Sequence, residues 1–207
     1  MKIANRKSSI VNPAGFTLIE LLVVISIMAV LAAFTVPVLG SLKRQQAIKV
    51  ARGEMAVIET ALDNYKAKYG VYPPGNKADP LLSQLYYELS GVTHDKTAKT
   101  FTTLDGAAVI SEPDYYSAYH VGGVINSFIK GSDEDTAKAK NFLPTLKQSQ
   151  IALVTNKSWG TPVYPTTALV TAVGGPDNNY QPFGKDGLNP FRYVYPGVNK
   201  PGSYDLW

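Results

Sequence analysis

The chain of 207 residues sets 20 Lys and Arg against 16 Asp and Glu, a formal charge of +4, and 45% of its residues are hydrophobic. It has no cysteine, which excludes disulfides and thiolate metal sites. Lys2, Arg6 and Lys7 precede residue 15, so the remainder is close to neutral, and no cluster of Lys and Arg beyond Arg52 faces nucleic-acid phosphates.

From Leu21 to Leu42 no residue is ionisable. About 20 such residues cross a bilayer as a helix, so this stretch predicts a membrane-spanning helix. It is entered through Gly15-Phe16-Thr17-Leu18-Ile19-Glu20, and a carboxylate at the mouth of an apolar span costs free energy that points to a function. The basic segment before it contains Asn12-Pro13, which breaks a helix, and reads as a removable leader. A conventional secretory signal cut near Val30-Leu31-Ala32 is the rival, and it leaves Glu20 unexplained. Charge counting does not fix the orientation, because Lys43, Arg44, Lys49 and Arg52 follow the span.

Ile48, Ala51, Met55, Ile58, Leu62, Tyr65 and Tyr69 alternate at spacings of three and four, one apolar stripe on a continuous helix. Lys49, Arg52, Glu54, Glu59, Asp63 and Lys66 lie off the stripe and are expected to face water. The helix from Phe16 to Tyr69 would be roughly 80 Å long at about 1.5 Å per residue. Its stripe is expected to pack on the chain's own head rather than in a coiled-coil seam, with Pro37 and Gly40 marking a bend. Gly70 to Gly75 ends it.

Asp79-Pro80 reads as the N-cap and first residue of a short helix carrying Leu81, Leu82, Leu85, Tyr86 and Leu89 and closed by Gly91. Thr93 to Gly123 reads as loop and short strand. A second helix is expected from Asp133 to Phe142, its leading acids suiting a helix N-terminus. Strand signals follow at Ile151–Thr155, Ala168–Val173 and Pro190–Tyr195, which together predict one small antiparallel sheet over the helix stripe.

Chemistry is sparse. His94 and His120 have no partner at metal-ligand spacing, and no nucleophile elbow, phosphate loop or His-Glu-x-x-His motif occurs. Asp133, Glu134 and Asp135 read as a solvated helix start. Asp177, Asn179 and Asp186 offer oxygen ligands on a turn, weak calcium candidates against a plain Asx turn. No residue pattern points to an enzyme.

Gly15-Phe16-Thr17-Leu18-Ile19-Glu20 resembles the cleavage signal of type IV pilins and pseudopilins. The resemblance implies that a prepilin peptidase cuts after Gly15 and methylates Phe16, that Glu20 pairs with the amino terminus of a neighbouring subunit, and that Pro37 is the family's helix proline. Ala61 to Pro73 is similar to the end of the first helix in major pseudopilins. Asn189 to Gly197 and Gly202 to Trp207 are similar to their C-terminal strand, turn and strand, and Trp159-Gly160-Thr161-Pro162 to a turn of their heads. In those proteins Tyr-Asp-Leu usually precedes a calcium-binding loop, whereas the sequence given stops at Trp207. The region between about Pro80 and Tyr180 looks like an insertion.

The implied fold is α+β: a long membrane-spanning N-terminal helix packed on a small antiparallel sheet head. It divides into a leader at 1–15, a transmembrane half at 16–42, an amphipathic half at 43–70 and a head at 71–207. The implied function is a structural subunit of a type II-like secretion pseudopilus, anchored by a single pass in a bacterial inner membrane with its head in the periplasm. Its implied partners are further copies of itself, the prepilin peptidase, the inner-membrane secretion platform and an assembly ATPase. The alternatives are a type IV pilin for adhesion, motility or DNA uptake, and a membrane-tethered binding domain.

Overall fold

The computed structural model describes residues 15–77, 79–131, 139–156, 162–177, 179–184 and 187–207, with the side chains of 34–41 and 162 outside that description. The architecture is α+β. Helix α1 (Leu18–Tyr69) leads, followed by α2 (Leu85–Ser90), β1 (Val92–Asp95), β2 (Thr100–Thr103), β3 (Val109–Ser111), α3 (Glu112–Tyr119), β4 (Ser127–Ile129), β5 (Ile151–Asn156), β6 (Pro162–Leu169), β7 (Tyr193–Val194) and β8 (Asp205–Leu206). Two compact units divide after Gln46, within α1.

In the first unit every described side chain is exposed, among them Phe16, Leu18, Ile19, Leu21 and Leu22. No helix is long and apolar enough to cross a membrane among the described residues. The described side chains of the expected span run unbroken only to Ala33, short of the roughly 20 residues a crossing needs. Pro37 falls within α1, but its side chain lies outside the described residues, as does the leader before Gly15.

In the second unit the stripe behaves as its spacing requires toward its C-terminal end. Ile58, Ala61, Leu62 and Tyr65 are buried, with Met55 and Tyr69 packed against the same cluster. Ile48 stays exposed, so the covered face begins about two turns later than the pattern suggests. Glu54 is not a solvated residue: its carboxylate accepts from the Thr171 hydroxyl at 2.5 Å and the Ala172 N–H at 3.1 Å, fastening α1 to the chain after β6.

The expected single sheet is instead three small ones. β3-β2-β1-β4 form a four-stranded sheet in which β4 runs parallel to β1, β5 pairs with β6, and β7 pairs with β8, the latter pairs antiparallel. The last pair is the strand–turn–strand expected at the C-terminal end. β6 starts earlier than foreseen, while Pro190 contributes only a bridge to Val170. The Thr93–Gly123 stretch is more ordered than its composition suggested. α3 is capped by Ser111, whose hydroxyl accepts from the Asp114 N–H, with Pro113 in its first turn. It stops at His120, whose φ of 56° is left-handed.

The helix expected to open at Asp79-Pro80 starts at Leu85. Asp79 closes a turn instead, its carboxylate accepting from the Leu81 N–H and its carbonyl from the Leu82 N–H. Gly91 does end that helix, at a φ of 69°, where a Cβ would meet the Asn126 amide, Leu104 and the Lys140 carbonyl at 3.0 Å. Residues 139–142 are not helical, and the rest of the expected Asp133–Phe142 helix lies outside the described residues.

Burial separates two leucines by consequence. Leu62→Ala, in the core at 0% exposure, is expected to cost about 2–5 kcal/mol. Leu153→Ala, 67% exposed on β5, should stay within about 0.5 kcal/mol. Urea denaturation of the full chain in detergent, read by near-ultraviolet circular dichroism, distinguishes the two.

Candidate functional site

The motif at the start of α1 folds as a capping box. Thr17 is the last residue before the helix, and its N–H and hydroxyl donate to Glu20 Oε2 at 2.8 and 2.7 Å. The Glu20 N–H donates back to the Thr17 hydroxyl at 3.3 Å. Two backbone donors that the first turn leaves without intrahelical acceptors are thereby satisfied. The same carboxylate lies at the positive end of the helix dipole. Within one chain Glu20 is therefore a helix cap, the local alternative to a partner in another subunit.

Phe16, Ile19, Glu20, Val23 and Val24 share a shallow apolar depression, and Phe16 is 80% exposed. A Cβ built on Gly15 meets no atom within 4 Å. Among the described residues nothing crowds that position.

The other residues singled out do not join this site. Asp177 forms an Asx turn, its carboxylate accepting from the Asn179 N–H at 2.8 Å, which is the plain alternative to a calcium ligand. Asp186 and the Trp159 turn lie outside the described residues. No group of three His, Cys, Asp or Glu stands close enough to hold a metal ion among the described residues. His94 on β1 meets Glu112, the first residue of α3, and stacks on Phe101, while His120 caps α3. The pairing of His94 with Glu112 spans 18 residues and two strands, so no local spacing announced it.

Besides Glu54, sequence reasoning missed two carboxylates that join stretches of backbone in the head. Asp205 Oδ2 accepts from the N–H groups of Val198 and Asn199 at 2.7 and 2.8 Å and closes the turn between β7 and β8. The other is Glu88, wholly buried in α2. Its Oε1 accepts from the Ile125 N–H at 2.9 Å, and its Oε2 from the Asn126 N–H at 3.0 Å and the Tyr65 hydroxyl at 2.8 Å. The Asn126 amide in turn donates to the Glu88 and Lys140 carbonyls, and its oxygen accepts from the Tyr69 hydroxyl and the Lys140 N–H. Burial pushes the Glu88 carboxyl above its ordinary range, against its three donors. Burial, reinforced by the Glu88 charge, pushes the Tyr65 hydroxyl up as well.

Comparison with known proteins bears on the first of these regions. Residues 12–36 match the model of the prokaryotic N-terminal methylation motif. The N-terminal part is similar to three proteins named type II secretion system core protein G. The one from Pseudomonas aeruginosa is 45% identical over 60 residues, covering 29% of this chain and 42% of that protein. Those from Vibrio cholerae and Escherichia coli K12 are 42% and 41% identical over 59 and 63 residues, covering 40% and 43% of their lengths. The chain thus spans about two fifths of the relatives it matches. No solved structure matches it.

The cap generates a local expectation. Thr17→Val removes the hydroxyl that both donates to Glu20 and accepts from its amide, so the Glu20 N–H should exchange faster with solvent. Hydrogen exchange read by mass spectrometry in detergent would show faster exchange confined to the first turn, with the protection of residues 58–69 unchanged.

Proposed function

We propose that this chain is a prepilin-like structural subunit that assembles into a periplasmic pseudopilus of a type II-like protein secretion system. The observation that carries the reading is the methylation-motif match over residues 12–36, with Gly15, Phe16 and Glu20 in place.

Cleavage leaves an α-amine on Phe16 that is cationic with or without methylation. In an apolar layer that charge needs a carboxylate, since an unpaired buried ion is costly. Glu20 of an adjacent copy meets the need, receiving the neighbour's ammonium beside the donors of its own first turn and setting the axial register. The apolar residues Leu21 to Leu42 hold the subunit in the inner membrane before assembly, and the head lies in the periplasm. The assembly ATPase and the membrane platform supply the work, so the chain's own task is mechanical rather than catalytic. The printed names of the relatives favour secretion over an adhesive or motile pilus.

The intact mass and N-terminal sequence of the protein recovered from host membranes test the processing step. A chain beginning at N-methylated Phe16 is expected. A start after Ala32, or a retained Met1, would return the head to the class of tethered or secreted domains. Glu20→Ala should be processed normally yet fail to enter filaments sheared from cells, and its normal incorporation would count against the pairing.

A further inference from the structure

We propose that Glu88 is a proton-linked latch of the head: its buried carboxyl group, with the Tyr65 hydroxyl beside it, takes up a proton and so sets how tightly residues 124–126 are held against α1 and α2.

The geometry provides both halves of such a device. The carboxyl group is fully buried and receives donors from α1 through Tyr65 and from the chain entering β4 through Ile125 and Asn126. The ion pairs described elsewhere join His94 to Glu112 and Lys130 to Asp95, and neither reaches it. The titratable groups that act on it are Tyr65 and Tyr69 of α1, Tyr115 of α3 and Tyr193 of β7, all of which are neutral when protonated. From the 139–142 segment, Lys140 touches the network through its backbone, while its ammonium lies over the Phe142 ring. Among the described residues the charge on Glu88 is therefore stabilised by dipoles alone.

A hydroxyl makes the two states interchangeable. Tyr65 donates to the carboxylate, and by rotating its O–H it can accept from the carboxylic acid, its own hydrogen then leaving Glu88. Burial holds Tyr65 protonated throughout.

The sign follows from the direction of the shift. Burial is the largest influence on Glu88 and raises its folded-state value above the ordinary 4.5. Between that value and the raised one the folded head binds one proton more than the unfolded chain, so stability falls as pH rises through this window and is level above it. Charging Glu88 loosens the latch.

The test is urea unfolding of the full chain in detergent from about pH 4 to about 8, for the parent and Glu88→Gln, since one proton changes an unfolding constant by at most about tenfold per pH unit. The parent should carry a component that destabilises with rising pH and that Glu88→Gln lacks; parallel profiles would overturn the proposal. Should Glu88→Gln not fold, infrared spectra of the parent with isotope-labelled glutamate read the protonated carboxyl directly. Its band should persist above the ordinary glutamate range and disappear as the Ile125 and Asn126 amides lose exchange protection. A band already absent near about pH 4 would overturn the assignment. Tyr65→Phe removes a donor to the charged form and should move the titration upward, which a purely structural contact would not do.

Discussion

Tyr65 brings a hydroxyl to the deepest point of the α1 stripe, where its ring is fully buried between Tyr69 and Phe142. Burial obliges that hydroxyl to find an acceptor, and the one it finds is a carboxylate that is itself removed from water. The carboxylate then needs more donors than a tyrosine supplies, and the backbone of residues 125 and 126 provides them. Asn126, drawn in by its own N–H, spends both ends of its amide on the Glu88 carbonyl, the Tyr69 hydroxyl and the backbone of Lys140. Four separate stretches of chain are thus joined by the hydrogen-bonding needs of Tyr65, Glu88 and Asn126. The three small sheets are too short to impose such an order, since two-stranded pairs are marginal without packing against something larger.

Glu20 and Glu88 are the same side chain under opposite constraints. Glu20 is exposed, and its donors come from Thr17, three residues upstream in its own turn. Glu88 is buried and draws its donors from positions up to 38 residues away. One carboxylate holds a single turn, the other ties distant stretches of chain together. The difference comes from what surrounds each residue, because the local helical setting is similar.

The parts of this fold legible in the sequence are those whose physics is local. The α1 stripe follows from spacing, the Gly91 stop from glycine's freedom at positive φ, and the cap of α1 from Thr17 and Glu20 three residues apart. α3 was equally readable, since Ser111, Pro113 and Asp114 form an N-terminal signature, but it sat in a stretch whose mixed composition masked it. What the sequence could not display were pairings across long separations. The contact of Glu54 with Thr171 spans 117 residues, and Glu54 reads locally as one more charge off the stripe. The expected single sheet divides because β7 pairs with β8, apart from the β5–β6 pair, and the parallel pairing of β4 with β1 belongs to a further sheet that the strand signals did not announce. Among candidate site residues, Gly15, Phe16 and Glu20 were visible because their motif is contiguous. Glu88 looked like an ordinary polar residue in a leucine-rich turn.

Charge placement narrows what Glu20 can do. It is the sole carboxylate in the first 53 residues, the next being Glu54. A free amine on Phe16 would add positive charge at the end of α1 where the helix dipole is already positive, a pairing that favours an anion nearby. Within the apolar segment that anion can be Glu20 of the same chain or Glu20 of a neighbour. In a single chain its Oε2 already accepts from both the Thr17 N–H and the Thr17 hydroxyl. A carboxylate has room for further donors on its other oxygen, so in the proposed assembly a neighbour's amine would be received there without leaving the helix start uncapped.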